Sequence, residues 1–165
     1  GSQIGTMALV PACVDALDIP VIAAGGIMDG RGITAALALG AQAVQLGTAF
    51  LACPESAITP AQRSAMAGAQ ASDTRLTRIF SGRPARGIIN DAMRALAPHE
   101  ADIPAYPIQN ALMGPVRRAA AQAGDAEYIA LWAGQGVGAA RALAAGALAQ
   151  ALAQEWRIAR RRLQN

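Results

Sequence analysis

The stretch "PVIAAGGIMDGRGITAALALGAQAVQLGTAF", residues 20–50, decides the fold. Its first apolar run ends in Gly25 and Gly26, and a second run, "AQAVQL", ends in Gly47. Between them lie the turn signal "MDGRG" and a short helical pattern, "ITAALALG", which Gly40 is well placed to terminate. A strand, a helix and a strand in this order form the compact right-handed unit of a parallel sheet.

Glycines at the ends of two consecutive strands point to a ligand. In parallel α/β folds, ligands bind beyond the carboxyl ends of the strands. Glycine there lets the backbone approach closely, and backbone N–H groups at such turns bind phosphates. One pair alone would be explained by turning of the chain. Two consecutive pairs, Gly25-Gly26 and Gly47-Thr48, favour a phosphate site, to which the Thr48 hydroxyl adds a donor.

The flanking segments give a coarse layout. "MALVPACVDAL" predicts a helix that ends near Leu17, and "TPAQRSAMAGA" predicts one with Thr59 as N-cap and Pro60 at its first position. "TRLTRIFSGRPARGIIN" predicts a strand over residues 76–80 that ends in a loop. After Asn90 we expect a proline-punctuated loop, "APHEADIPAYP", and then mostly helix, including "AGQGVGAARALAAGALAQALAQEW". The expected picture is a parallel α/β part up to about residue 90, followed by a helical part.

Composition excludes several classes of protein. Apolar residues make up 53% of the 165, enough for a core, yet no apolar run has the roughly 18 residues that a membrane span needs. The N-terminal residues lack a secretory pattern. Cys13 and Cys53 lack the spacing of a zinc site or a disulfide framework, so we predict no metal and a cytoplasmic location.

The net charge of +3 comes from arginine, because the chain has no lysine. The basic tail "RIARRRLQN" is typical of the last turn of a helix, where cations suit the negative end of the dipole. Aromatic residues that could stack on bases are not interleaved with these arginines. We therefore predict neither a nucleic-acid nor a membrane partner.

Several segments resemble one enzyme family. "IPVIAAGGIMDGRGITAALALGAQAVQLGTAFL" is similar to the phosphate-binding segment of flavin-binding TIM barrels, most closely that of nitronate monooxygenases, once called 2-nitropropane dioxygenases. "SGRPARGIIN", "YPIQNAL" and "LWAGQG" resemble segments of bacterial members. The GG…GT pair alone is shared more widely, with flavin-type enoyl reductases and dehydrogenases of inosine monophosphate. The combination of segments is more specific.

The resemblance implies a fold and a cofactor. The fold would be α/β, with residues 1–90 as the C-terminal strands and helices of an FMN-binding TIM (β/α)8 barrel. Residues 91–165 would form a helical region that closes the substrate site, together with the C-terminal helix. By resemblance, FMN would contact Gly26 and the run of Gln45, Leu46, Gly47 and Thr48, with Gly25 as a neighbouring candidate.

The resemblance also implies an activity. The family oxidises alkyl nitronates with O2 to a carbonyl compound and nitrite, and it needs no nicotinamide. Members carry their active-site histidine in a stretch ending in Gly-Gly-His, just upstream of the segment that "GSQIGTMALVP" resembles. We therefore expect this chain to be a C-terminal half that begins after its catalytic base and is inactive alone. No catalytic residue is assigned, because we interpret His99 as an exposed loop residue.

Other polar and aromatic residues receive weaker interpretations. The two arginines of "SGRPARG" either stabilise negative charge on flavin or substrate or pair with acidic neighbours, and the serine before them could reach the cofactor. The "YPIQNAL" segment would lie in the substrate-closing region, and Asp29 is interpreted as a turn residue. The tryptophan and the glutamine of "LWAGQG", Trp132 and Gln135, would lie near the flavin, although a buried tryptophan is more often core. These residues are Ser81, Arg83, Arg86, Tyr106, Gln109, Trp132 and Gln135.

Two other functions stay open at the level of the sequence. One is a flavin-dependent enoyl-thioester reductase, which would consume a reduced nicotinamide. The other is a truncated remnant without catalysis. The expected partners are a small-molecule nitronate and O2, and the open edges of an incomplete sheet would favour self-association.

Overall fold

The computed structural model describes residues 4–164. Residues 1–3, at the start of the segment "GSQIGTMALVP", and residue 165 lie outside this range. The described chain alternates short strands with helices and then becomes mainly helical. The strands are β1 (Ile22–Ala24), β2 (Ala43–Gln45), β3 (Thr74–Thr77) and β4 (Ala85–Ile88). The helices are α1 (Thr6–Ala16), α2 (Gly30–Ala38), α3 (Thr48–Leu51), α4 (Pro60–Ala67), α5 (Asp91–Leu96), α6 (Ile108–Ala123) and α7 (Ala145–Arg162).

The chain divides into two compact units. The first unit contains the described residues up to Ser56 together with those from Ala139 onward, and the second is Ala57–Gly138. These bounds differ from the predicted change of character near residue 90. The assignment of 1–90 to a barrel and of 91–165 to a closing region stays a prediction.

The first unit contains the predicted parallel pair. β1 and β2 run parallel, with Ile22 opposite Ala43 and Ala24 opposite Gln45, which confirms the strand–helix–strand prediction. Helix α2 connects them, and Gly40, at φ +97°, follows its C-terminal end as expected. One face of the pair is buried against helices in a small aliphatic core made of Val10, Ala23, Ile27, Ala36 and Ala41.

The opposite face of this parallel pair is uncovered among the described residues. Ile22 is 60% exposed, and Ala24, Ala43 and Gln45 are also exposed. Parallel sheets in α/β proteins are normally covered on both faces. This face of the two strands therefore lacks the cover that the fold class usually gives it.

The second unit contradicts the prediction of a parallel sheet up to residue 90. β3 and β4 are antiparallel, with Thr74 opposite Ile88 and Thr77 opposite Ala85. The predicted strand over 76–80 is wrong at both ends, and the predicted loop contains β4. Ile79 and Phe80 are fully buried in the core after the strand has ended, so their apolar character reflects the core and not strand alternation.

Two predicted segments differ in detail. "APHEADIPAYP" contains a 3-10 helix, Ala97–Asp102, where a loop was expected; a proline in its first turn suits such a start. In "AGQGVGAARALAAGALAQALAQEW" the long helix begins only at Ala145, after a short 3-10 turn at Val137–Ala139. The glycines early in that segment disfavour a continuous helix. Thr59 caps α4 through Gln62 N–H, with Pro60 at its first position, as predicted.

The mixed α/β class is confirmed, and within residues 4–164 the strands form two separate two-stranded sheets. Helix α7 ends in Arg160, Arg161 and Arg162, which confirms that the basic tail is the last turn of a helix. Among the described residues, no helix has the length and apolarity to cross a membrane.

Candidate site at the ends of the parallel strands

The two predicted glycine turns lie at one edge of the parallel pair. Ala24 is paired with Gln45, so Gly25-Gly26 and Leu46-Gly47 leave the sheet side by side. Both turns stand at the carboxyl ends of their strands, where parallel α/β folds bind ligands. The structure therefore brings together the backbone segments that the sequence singled out.

The first turn has a backbone that requires glycine. Gly25 has φ +109° and Gly26 has φ +73°, values that side chains rarely adopt. A Cβ at Gly26 would meet no protein atom within 4 Å. The conformation fixes this turn, and open space lies beside it.

The second turn differs, because no described residue requires glycine there. Gly47 has φ −97° and ψ −68°, which other residues adopt readily. A Cβ there would also meet nothing within 4 Å. Glycine at this position is explained neither by backbone strain nor by close packing among the described residues. A bound group beside the turn would explain it, and the site thus fits a phosphate held by two glycine turns.

The other predicted contact residues differ in what they offer. The Gln45 side chain is exposed at the end of β2. Leu46 is half-buried, and its side chain packs against apolar clusters of the first unit. Thr48 is half-buried at the start of α3, and the Gly47 carbonyl accepts a bond of 3.0 Å from Phe50 N–H. Cofactor contact by these residues stays a prediction.

Thr6 supports the first turn and was missed by the sequence reasoning. Its hydroxyl donates to the Gly25 carbonyl at 3.0 Å and also lies 3.3 Å from the Ala24 carbonyl. A Cβ on Gly25 would stand 3.1 Å from that hydroxyl oxygen. Nothing in the local pattern around Thr6 signals this role, since the two segments are joined only by the fold.

The N-terminus of α2, directly after the first turn, is closed by side chains. Asp29 accepts from Arg31 N–H at 2.9 Å and from Gly32 N–H at 3.2 Å. Glu155, on α7, accepts from Gly30 N–H at 3.1 Å. The first three backbone donors of the helix thus already bond to carboxylates, which leaves none of the three for a phosphate. An anion would therefore bind at the glycine turns and not at this helix end.

Asp29 was interpreted as a turn residue, and the structure makes it a helix cap. The Arg31 guanidinium holds its carboxylate at 2.6 and 2.9 Å. This bond lowers the pKa of Asp29 below its ordinary 3.8, since it outweighs the opposing effect of partial burial, and the backbone N–H bonds add to it. Asp29 is therefore ionised at neutral pH and does not serve there as a proton donor.

In the second unit, the arginines of "SGRPARG" have other contacts. The Arg83 guanidinium lies 4.4 Å from the centroid of the Tyr106 ring, a cation–π contact. Arg86 donates to the Thr74 carbonyl and hydroxyl, both at 3.1 Å. The ion pairs among the described residues include neither arginine. The Ser81 hydroxyl donates to the Arg83 carbonyl and accepts from Arg83 N–H, both at 3.2 Å.

The remaining candidates of the second unit are mostly structural. Trp132 is half-buried and packs edge to face on the buried Phe80, with ring centroids 5.5 Å apart. Gln109 is buried and donates to the Ile79 carbonyl. His99 is exposed as predicted, although it lies on a 3-10 helix, and Gln135 is exposed. Within residues 4–164, no cluster of His, Cys, Asp and Glu could hold a metal.

The chain is similar to known proteins over most of its length. The sequence model of the family described as nitronate monooxygenase matches residues 1–155. A probable nitronate monooxygenase of Staphylococcus aureus is 51% identical over 133 residues, which cover 81% of this chain and 38% of that protein. The chain thus spans well under half the length of such relatives.

Two solved structures resemble the fold. The nitroalkane oxidase of Streptomyces ansochromogenes superposes with a TM-score of 0.91 at 50% identity, over 97% of this chain and 46% of that one. FabK of Thermotoga maritima superposes with a TM-score of 0.84 at 33% identity, over 99% of this chain and 52% of that one. In each case this chain corresponds to about half of the longer protein.

Proposed function

The chain belongs to the nitronate monooxygenase family, and we propose that it contributes the phosphate-binding part of an enzyme that oxidises alkyl nitronates with O2 to a carbonyl compound and nitrite. The observation that carries the proposal is the pair of glycine turns at one edge of the parallel strands, both facing open space. The likeness to a nitroalkane oxidase supports the same class of substrate.

FMN is the cofactor that we propose for this site. Its phosphate would be held by the backbones of Gly25-Gly26 and Gly47-Thr48, with a further bond from the Thr48 hydroxyl. Gln45 and Leu46 would line the approach from the end of β2. When bound, the flavin supplies the electron transfer between nitronate and oxygen, and these residues bind and orient it.

The barrel is also part of the proposal. In a TIM barrel, helices cover the outside of the strands and side chains fill the inside. The first unit has helices on one face of β1 and β2 and an exposed face that carries Ile22 and Gln45. That one-sided cover is the arrangement expected of two neighbouring barrel strands, whose inner face other strands would fill.

The test combines a binding and an activity measurement on the natural full-length protein that contains these residues. Flavin fluorescence quenching should show FMN binding, and an oxygen electrode should show O2 consumption with a simple alkyl nitronate, together with nitrite release. Absence of flavin binding would contradict the site. Oxidation of a reduced nicotinamide with an enoyl thioester, without turnover of the nitronate, would favour an enoyl reductase instead.

A further inference from the structure

Helix α7 contacts α2 at a position where only glycine fits. A Cβ on Gly30 would stand 2.2 Å from the Glu155 carbonyl carbon and 2.2 Å from Trp156 N. The two helices therefore touch backbone to backbone at the first residue of α2. This contact lies four residues after the Gly25-Gly26 turn, so α7 sets the position of the segment that follows the turn.

Two charged side chains reinforce the same contact. Glu155 accepts from Gly30 N–H at 3.1 Å and forms an ion pair with Arg141. Arg141 in turn lies 3.4 Å from the Met28 carbonyl oxygen through its second terminal nitrogen. The pair thus bonds to the backbone at Met28 and Gly30, two and four residues after Gly26, once through a donor and once through an acceptor.

The ion pair of Arg141 and Glu155 is partly shielded from solvent, which strengthens its hydrogen bonds. The side chains of Arg141 and Glu155 are 30% and 34% exposed, in contrast to Arg31, whose side chain is 86% exposed. Partly buried, charge-assisted hydrogen bonds are stronger than neutral ones and fix orientation more tightly. Removal of one partner would leave the other charge poorly compensated.

We propose that Glu155 and Arg141 are positioning residues that hold the Gly25-Gly26 turn in its phosphate-binding conformation. The inference rests on the proposed FMN site and adds residues of the C-terminal segment to it. Among the described residues, the hydrogen bonds of these two side chains reach neither Gly25 nor Gly26. They act through Met28 and Gly30, the backbone that follows the turn.

The decisive comparison is between FMN and riboflavin, which lacks the phosphate. Glu155→Gln should weaken FMN binding about tenfold, the size expected for loss of a charge-assisted bond. Riboflavin binding should change little, because only the phosphate turn is disturbed. In the cofactor-free protein, amide hydrogen exchange over residues 25–30 should become faster.

Glu55→Gln is a matched control. The Glu55 carboxylate also accepts from a backbone N–H at the start of a helix, that of Ala145, at 3.0 and 3.1 Å. This bond lies away from the residues that follow the Gly25-Gly26 turn in sequence. The Glu55→Gln variant should therefore leave the ratio of FMN to riboflavin affinity unchanged. If Glu155→Gln and Glu55→Gln change the ratio of FMN to riboflavin affinity equally, the proposal is wrong. It is also wrong if Glu155→Gln changes neither this ratio nor the amide hydrogen exchange over residues 25–30.

A second variant keeps the test valid if Glu155→Gln does not fold. Arg141→Lys retains the charge but loses the planar fork that reaches both Glu155 and Met28. It should lower the affinity ratio in the same direction, by about threefold, a smaller loss because the ion pair can persist. A wild-type protein that binds neither flavin would refute the proposed function itself. A wild type that prefers FMN, with variants that keep this preference, would refute only the positioning role.

Discussion

The glycines of the strand-end turns and those of the antiparallel hairpin region serve opposite purposes. At Gly26 and Gly47 an added Cβ would meet nothing within 4 Å. At Gly82 it would stand 2.5 Å from the Pro104 carbonyl oxygen and from Tyr106 N, and at Gly87 2.9 Å from the Leu131 carbonyl oxygen. The first pair leaves room for something outside the described chain, whereas the second lets the chain pack against itself.

This difference teaches where glycine argues for a ligand. In the sequence, both "AAGG" and "SGRPARG" place a glycine soon after a predicted strand. Only the surroundings distinguish them. A glycine that neither strain nor packing requires argues for a ligand when it also lies at the carboxyl end of a parallel strand, as Gly47 does.

Gly82→Ala should have the largest effect on stability. Gly82 has φ +81°, and the new Cβ would collide with backbone atoms, which cannot rotate away. Left-handed strain and overpacking together should lower the free energy of unfolding by about 2–4 kcal/mol. Denaturant titration of the natural full-length protein would measure this loss.

Gly124→Ala is the control that separates the two causes. Gly124 lies in the same unit and has φ +68°, but a Cβ there would meet nothing within 4 Å. It should cost only the left-handed strain, about 1–2 kcal/mol. Equal losses in the two variants would show that the close approach at Gly82 costs nothing, and the contrast between packed and open glycines would fail.

Gly47→Val should reverse that pattern, with a large effect on the cofactor and a small one on folding. The backbone angles at Gly47 suit other residues, so the stability should change little. The branched side chain would occupy the space beside the turn, and FMN affinity should fall about a hundredfold, equivalent to about 2.7 kcal/mol. The ratio of flavin to protein absorbance after purification, followed by titration, would show it.

The control for Gly47 is Gly68→Val. Gly68 has φ −110° and ψ −5°, and a Cβ there also meets nothing within 4 Å, but it follows helix α4 in the second unit. The FMN affinity of the Gly68→Val variant should match that of the wild type. If Gly47→Val also retains its flavin, the open space beside the turn is not the phosphate site.

Local signals explain how much the sequence could predict. The Thr59 cap and the glycine-terminated strands are set by neighbours within a few residues, and they were predicted correctly. The predicted turn at "MDGRG" was wrong, because Asp29 caps helix α2 and the helix already begins at Gly30. The hairpin was missed because the apolar residues of Leu76–Phe80 were interpreted as one strand, although Ile79 and Phe80 enter the core after β3 ends. Leu76 is 38% exposed and Thr77 is 1% exposed, so the polarity of these residues does not report which side of the strand faces the core.

Long-range supports could not be predicted from local pattern. Thr6 reaches Gly25 across 19 positions, and Glu155 reaches Gly30 across 125. The buried side chain of Asn90 donates to the Ala126 and Ile129 carbonyls, which lie 36 and 39 positions later in the sequence. Each contact depends on the packing of whole elements, and a single polar residue carries no mark of such a partner.

Thr48→Ala tests the polar part of the strand-end site and should have a smaller effect than Gly47→Val. Loss of one hydroxyl donor to a phosphate should weaken FMN binding by about 0.5–1.5 kcal/mol, or about two- to tenfold. Thr48→Ser keeps the hydroxyl and should bind nearly as well as wild type. Riboflavin titrations should not distinguish the three proteins, and a parallel loss of riboflavin affinity would mean that Thr48 acts through folding.

The smallest expected effect concerns pH and Asp29, beside the open turn. Its pKa is depressed in the folded state, chiefly by the Arg31 guanidinium, so its ionised form stabilises the fold. That contribution is fully present above the ordinary pKa of about 3.8 and is lost as the pH falls through the lower folded value.

Asp29→Asn keeps a good N-cap but removes the charge. Between pH 7 and pH 3, denaturant titrations should therefore show a slightly steeper loss of stability for wild type than for the variant. Because Arg31 is almost fully exposed, solvent screens the pair, and the difference should stay small. Identical pH profiles for the two proteins would show that Asp29 acts as a cap alone.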